Sequence, residues 1–263
     1  MRRLLHFLCL ATSLFWAACG GGEGGSTPAP KPAPSGDSSP PPPSMMVDPT
    51  ALGSVTGVMS FDGVAPKSEE LVLKADAWCK SHHDTPPLDA SLVVRDGKIA
   101  NVFVWISAGL QGFDFDTPSE KVVLDQQGCI FGPRVVGIQL GQNVTMHNSD
   151  PVLHNVHSKP EINRTKNIAL PVQGSERDFK FDKAEVMIPI VCDVHPWMRA
   201  FVGVVEHPFF AVTDDSGAFL FENMPAGEFT LQFWHERLGV KEQTIVVMKG
   251  ETLDLGAIKM ALP

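Results

Sequence analysis

The residues of this chain best suited to chemistry gather in one short segment, Cys192-Asp193-Val194-His195-Pro196-Trp197-Met198. It offers a thiolate, an imidazole and a thioether within seven residues. A soft thiolate with nitrogen donors and a weak thioether is a donor set for copper, with two His and one Cys in a trigonal plane and Met on the axis. The segment holds one His, so the second must come from elsewhere. His154 stands 38 residues before Cys192, in Asn148-Ser149-Asp150-Pro151-Val152-Leu153-His154-Asn155-Val156-His157. Two adjacent strands of a sandwich would bring the segments together. Taken singly, each residue has an ordinary reading: Cys192 as a buried thiol, Met198 as core filling, His195 as a surface imidazole. Their conjunction points to a metal. His157 competes with His154, but residues three apart on a strand face opposite sides; His147 is a weaker competitor. Zinc is the other candidate ion, although a structural zinc site rarely recruits Met.

Holding such a set requires strands, and the chain from residue 51 reads as all-β. Short alternating runs stand at 54–61, 91–95, 99–106, 121–124, 135–140, 143–148, 177–181, 186–191 and 201–205. Turn residues separate them, as β-sandwiches require. Asp96-Gly97, between two such runs, predicts a tight hairpin turn. Beyond residue 206 the runs 209–213, 218–222, 229–234, 244–247 and 252–255 form a new meander. Only 69–80 reads as helical. With 23 Gly and 22 Pro the chain suits turns better than long helices.

Composition narrows the function. Hydrophobic residues make up 43% and charged residues 19%, which permits a sizeable core and excludes global disorder. The formal charge of -9 argues against nucleic acid as a partner, because such a footprint is basic. The sequence holds no G-x-S-x-G, no H-E-x-x-H and no phosphate-binding glycine loop, so no enzyme constellation stands out. It holds no C-x-x-C-H, so no c-type haem is attached.

The N-terminus reads as an address. Arg2 and Arg3 precede an apolar stretch over 4–16, too short to span a bilayer stably, and Ala17-Ala18-Cys19 follows. Residues 1–18 are therefore read as a signal peptide. Residues 20–44 contain six Gly, eight Pro and five Ser, so 19–50 reads as a tether without a core of its own.

Three resemblances sharpen this reading. The C-x-x-H-P-W-M pattern from Cys192 resembles the ligand loop of the cupredoxins, the blue (type 1) copper proteins, and its short spacing is most similar to the amicyanin group. His154-Asn155-Val156-His157 resembles the segment around their first histidine ligand. The resemblance covers about residues 120–205 and implies a Greek-key β-sandwich with one copper ion. His154, Cys192 and His195 would be equatorial ligands, Met198 the axial one, and Asn155 a hydrogen-bonding bridge to the ligand loop. It also implies that His195 shows an edge to solvent as electron port, and that Pro196 and Trp197 belong to the docking patch. The expected activity is one-electron transfer, not catalysis. The expected partner is a redox protein such as a c-type cytochrome or a periplasmic dehydrogenase.

The small-small-Cys ending resembles a bacterial lipoprotein signal, which implies a lipidated Cys19 and a membrane-anchored protein of the periplasm or cell envelope. Cys79 and Cys129 are then an unclaimed pair in an oxidising compartment, where a disulfide persists; the rival reading groups Cys79 with His82 and His83 as a second metal site. Finally, Thr213-Asp214-Asp215-Ser216-Gly217-Ala218-Phe219 followed by Pro225-Ala226-Gly227-Glu228-Phe229-Thr230-Leu231 resembles the carboxypeptidase regulatory-like (transthyretin-like) β-sandwich. That motif is made of turns and implies no peptidase chemistry. The expected division is 51–205 for the copper domain with an N-terminal extension and 206–263 for the small second sandwich. In the latter, Trp234-His235 is read as core in preference to a carbohydrate contact. Two other functions fit the same residues: a copper-delivery lipoprotein, and a surface glycan- or protein-binding lipoprotein.

Overall fold

The computed structural model describes residues 50–74 and 76–263. The signal peptide, the tether up to residue 49 and Cys19 lie outside the described residues. Among the described residues the elements run β1 (Leu52–Phe61), α1 (Ala77–Ser81), β2 (Val94–Arg95), β3 (Lys98–Ile99), β4 (Phe103–Ala108), β5 (Val122–Gln127), β6 (Ile130–Gly132), β7 (Val135–Gln139), β8 (Val144–Asn148) and β9 (His154–Ser158). There follow β10 (Lys166–Leu170), β11 (Ser175–Phe179), β12 (Glu185–Val191), β13 (Arg199–Val205), β14 (Phe210–Val212), β15 (Ala218–Pro225), β16 (Gly227–His235), β17 (Gly239–Val247) and β18 (Thr252–Met260). The fold is all-β, as the alternating runs require.

The strands pair into four sheets. Sheet I has the order β15-β1-β3-β2, with β18 added parallel to β1. Sheet II is β14-β4-β16-β17, sheet III is β10-β9-β12-β13-β7, and sheet IV is β11-β8-β5-β6. Alternation along each strand decides what is buried. In β16 the inward residues are Phe229, Leu231, Phe233 and His235; in β1 they include Val55 and Met59. These meet Phe219, Phe221 and Ile258 in the core between sheets I and II. Leu124, Ile138, Met146, Phe179, Ile188 and Val202 fill the core between sheets III and IV. Each such side chain stabilises the fold by ~1.5–3 kcal/mol through loss of apolar surface to water.

A third core joins the two sandwiches. Phe103 and Trp105 of sheet II pack with Val135, Phe201 and Val205 of sheet III, and Phe210 and Trp234 close around them. Gly203 on β13 makes this possible, because a Cβ there would stand 2.7 Å from the Phe103 ring. Arg134 and Glu236, both largely buried, add a bidentate ion pair, with Nη2 donating to Oε2 at 2.9 Å.

The linear division at residue 205 needs correction. β1 pairs with β15 and β18, and β4 pairs with β14 and β16, so 52–108 shares its sheets with 210–260. The chain from 122 to 205 forms sheets III and IV between these two contributions. The residues with the carboxypeptidase regulatory-like pattern thus do not build a sandwich by themselves. His235 is a core residue, 1% exposed, while Trp234 is partly buried and packs on Phe201.

Two local expectations also change. The helix expected over 69–80 shrinks to α1, capped by the Asp76 carboxylate, which accepts from the Trp78 N–H at 2.7 Å. Before it, Leu71 and Leu73 both turn toward the sheet III/IV core at a spacing of two, the strand period. The Asp96-Gly97 turn forms between β2 and β3 with both φ values positive, 49° and 73°. The expected second strand, however, splits at Asn101 (φ 62°), and β4 leaves for sheet II.

Candidate metal centre

The two sequence segments meet at one end of sheet III. His154 opens β9, and its side chain is fully buried. The loop 192–198 joins β12 to β13, the neighbour of β9 being β12. The loop closes on itself: Met198 N–H donates to His195 O at 2.9 Å and Cys192 N–H to Met198 O at 3.4 Å. These bonds aim Cys192 and His195 back at His154.

His154 Nδ1 and His195 Nδ1 stand 2.9 Å apart, and Cys192 Sγ lies 3.9 Å from the first and 3.8 Å from the second. All three side chains are buried and form one of three donor clusters among the described residues. The nitrogen–sulfur sides suit a single small ion: bonds of ~2.0 Å to nitrogen and ~2.3 Å to sulfur at near-trigonal angles put nitrogen and sulfur ~3.7 Å apart. The same geometry puts the two nitrogens ~3.5 Å apart, so the imidazoles, at 2.9 Å, would separate slightly around an ion. Met198 is 1% exposed and sits in the adjoining core, its backbone bonded to both Cys192 and His195.

Each donor is set by a partner behind it. His154 Nε2 lies 2.9 Å from Asp150 Oδ2, which holds a ring proton on Nε2 and turns Nδ1 toward Cys192. Asp150 is 1% exposed and accepts from Gly128 N–H at 2.7 Å and Cys129 N–H at 2.8 Å. Gly128 and Cys129 both have φ near +60°, so their amides point together as an anion-holding nest. Burial pushes the Asp150 carboxyl up, but its bonds to His154, Cys129 and Gly128 outweigh that and hold it below the usual range. Burial likewise opposes charge on His154, yet Asp150 and Cys192 raise it to about 8. Burial would keep Cys192 protonated, but His154 and His195 bring it down to about 6. The two imidazoles thus favour the thiolate, the form that binds metal.

Asn155 makes the expected bridge. Its Oδ1 accepts from Asp193 N–H at 2.7 Å and lies 3.3 Å from Cys192 Sγ. Its Nδ2 donates to Asp193 Oδ2 at 2.9 Å and to Asn167 Oδ1 at 2.7 Å. His157, on the outer face of β9, bonds to Asp193 and takes no part in the cluster. His147 pairs with Asp125 at 2.8 Å, also away from it.

Cys79 and Cys129 are bonded as a disulfide. The rival grouping with His82 and His83 is not formed: His82 stacks on Trp78 and His83 Nε2 bonds to Gly128 O at 2.7 Å. The expectation of an exposed edge on His195 is corrected, since His195 is 0% exposed. Its Nε2 is covered by Cys79 Sγ at 3.4 Å, and its ring packs on Trp197, whose Nε1 donates to Cys129 O at 2.9 Å. Pro196 is exposed and Trp197 half-buried. Two functional residues were missed in the sequence. Asp150 stands four residues before His154, the one signal that could have found it, and the role of Cys129 as a wall behind both imidazoles had no local signal.

No family model matches the chain, and no curated protein matches it. Part of it is similar to solved structures. One is amicyanin from Paracoccus versutus, 26% identical over 34% of this chain and 85% of that one, with a TM-score of 0.28. Another is a purple cupredoxin from Nitrosopumilus maritimus, 22% identical over 32% of this chain and 97% of that one, with a TM-score of 0.27. A third is a Cu-containing nitrite reductase from Thermus scotoductus, 20% identical over 46% of this chain and 27% of that one, with a TM-score of 0.28. At such low TM-scores these likenesses carry no weight beside the geometry of the centre itself.

Proposed function

We propose that this chain holds one copper ion at His154, Cys192, His195 and Met198 and serves as a one-electron carrier. The observation that carries this reading is the convergence of two imidazole Nδ1 atoms and one cysteine sulfur on a single buried point, with His154 held from behind by Asp150. A soft thiolate with a buried thioether nearby favours copper over zinc. Bound copper would supply a Cu(II)/Cu(I) couple. The protein's part is to hold the donors still, so that little rearrangement accompanies a change of charge, and to keep water out. A set in which every donor is buried offers no open position for a substrate, which supports a carrier rather than an enzyme. It also supports a resident ion over one in transit to an acceptor.

The loop also supports a docking role. Pro196 and Trp197 face Val72 and Lys74 across a shallow groove, and Val194 is 38% exposed. A small, weak interface of this kind suits a redox encounter. The charge of -9 suits a basic partner such as a c-type cytochrome, with a salt-sensitive on-rate. Export and lipid anchoring through Cys19 would put the carrier at the periplasmic face of a membrane. The test is an absorption spectrum of the chain with one equivalent of Cu(II), repeated on Cys192→Ser. An intense visible band from copper–thiolate charge transfer that vanishes in the variant is expected. A colourless wild-type chain that takes up no copper would overturn the reading.

A further inference from the structure

Residues 69–89 form a loop that closes on itself. Leu71 N–H donates to Pro87 O at 2.8 Å, Asp89 N–H donates to Glu69 O at 2.7 Å, and Glu70 bridges to Leu88. Between these ends the chain carries α1, whose Lys80 and Ser81 face solvent, as does the capping His82. A handful of side chains fix this loop to the sandwich of sheets III and IV. Leu73 and Cys79 enter its core, with Leu71 and Trp78 packed at the margin, and His83 meets Gly128 O. The covalent contact is the Cys79–Cys129 disulfide. Its Cys79 sulfur is the atom against His195 Nε2, at 3.4 Å. The disulfide that ties this loop down thus covers the Nε2 edge of His195, while Trp197 packs on the ring.

We propose that the Cys79–Cys129 disulfide is the latch of a cover over His195. Bonded, it holds the 69–89 loop on the outer edge of the ring. Reduced, it lets the loop lift by a local opening and bares that edge of the candidate metal centre to solvent and to metal exchange. The reductant is a dithiol of the thiol–disulfide exchange class. Its two thiols become a disulfide, and the two electrons and two protons they give up leave Cys79 and Cys129 as thiols. The consequence for metal exchange rests on His195 being a ligand; the cover itself does not.

The test labels histidines of the metal-free full chain with diethyl pyrocarbonate and reads each site by peptide mass. It compares the oxidised chain, the chain reduced with a phosphine, and the Cys79→Ser/Cys129→Ser variant. Labelling of His195 is expected to rise at least tenfold in the last two. His154, held from within by Asp150, stays protected, and His82 is labelled throughout. An unchanged rate at His195 would overturn the proposal. So would His154 rising in step with His195, since the disulfide would then hold the whole sandwich together and not a cover. A second arm loads wild type and variant with Cu(I) and measures transfer to a Cu(I) chelator. At least tenfold faster transfer from the variant is expected, and equal rates would overturn the exchange role. A chain that binds no copper would defeat the carrier reading while the labelling result still stood.

Discussion

Metal binding at His154 would require a lone pair at Nδ1, with the remaining ring proton on Nε2. Asp150 enforces that tautomer, and the Gly128 and Cys129 amides fix Asp150. Asp150→Ala is expected to weaken copper binding by ~10–100-fold, as loss of a carboxylate behind a ligating His does elsewhere. It should also cost about 1–3 kcal/mol of stability, because two buried N–H groups lose their acceptor. A competition titration with a copper chelator and a urea melt check the two parts. Unchanged affinity would remove Asp150 from the centre. Three of the four ligand candidates were legible because they lie within seven residues, and His154 because its segment, His154-Asn155-Val156-His157, carries the resemblance given above. Asp150 was not legible: an Asp in a Ser-Asp-Pro turn looks solvated until a nest of amides from β5–β6 is seen to bury it.

The strands owe their faces to alternation, and that much can be read along each run. Which sheet a strand joins cannot. β4 looks like the return arm of the Asp96-Gly97 hairpin, yet it crosses to sheet II to put Phe103 against sheet III. Gly203→Ala places a methyl group 2.7 Å from the Phe103 ring, and is expected to destabilise by about 1–3 kcal/mol, the usual cost of overpacking. A denaturant melt with an unchanged slope and a lower midpoint would show this. β16 supplies a pH-dependent feature. His235 is buried; burial first, and the nearby charges of Arg134 and Arg237 second, lower it from 6.5 to about 4. The unfolded chain binds its proton first, so stability is present above pH ~6.5 and is lost as pH falls toward about 4, by up to about 3 kcal/mol. In His235→Phe, thermal melts between pH 7 and pH 4 are expected to show a flatter dependence than in wild type. An identical slope would mean that His235 takes up no proton cost on folding.

At the scale of the molecule, the N-terminal and C-terminal parts of the folded region complete one sandwich, and the part with the His154, Cys192 and His195 cluster lies between them in sequence. A chain ending at residue 205 leaves β1 without β15 and β18, and β4 without β14 and β16. Such a fragment is expected to lose cooperative unfolding and to expose Phe103 and Trp105. Calorimetry and one-dimensional NMR would check this, and a sharp two-state melt of the fragment would contradict the shared sheets. The Cys79–Cys129 bond closes a separation of 50 residues across this arrangement. Its removal is expected to cost ~2–4 kcal/mol at constant fold, read from a urea melt of the double Ser variant.

The sequence by itself determined the all-β class and a His/Cys/Met donor set of metal type, because these depend on residue type, on period and on spacing within short segments, and such signals are local. The Asn155 bridge was only implied by a resemblance, and the Cys79–Cys129 bond was favoured over a rival grouping with His82 and His83 that the structure does not form. The tertiary structure alone decided that 52–108 belongs with 210–260, that Asp150 sits behind His154, and that a disulfide-held loop covers His195. Each of these is a pairing between residues far apart in the chain or hidden in turns. It is settled by which hydrogen-bonding edges and apolar faces find one another when the sheets stack, and alternation along a single strand holds no record of that choice.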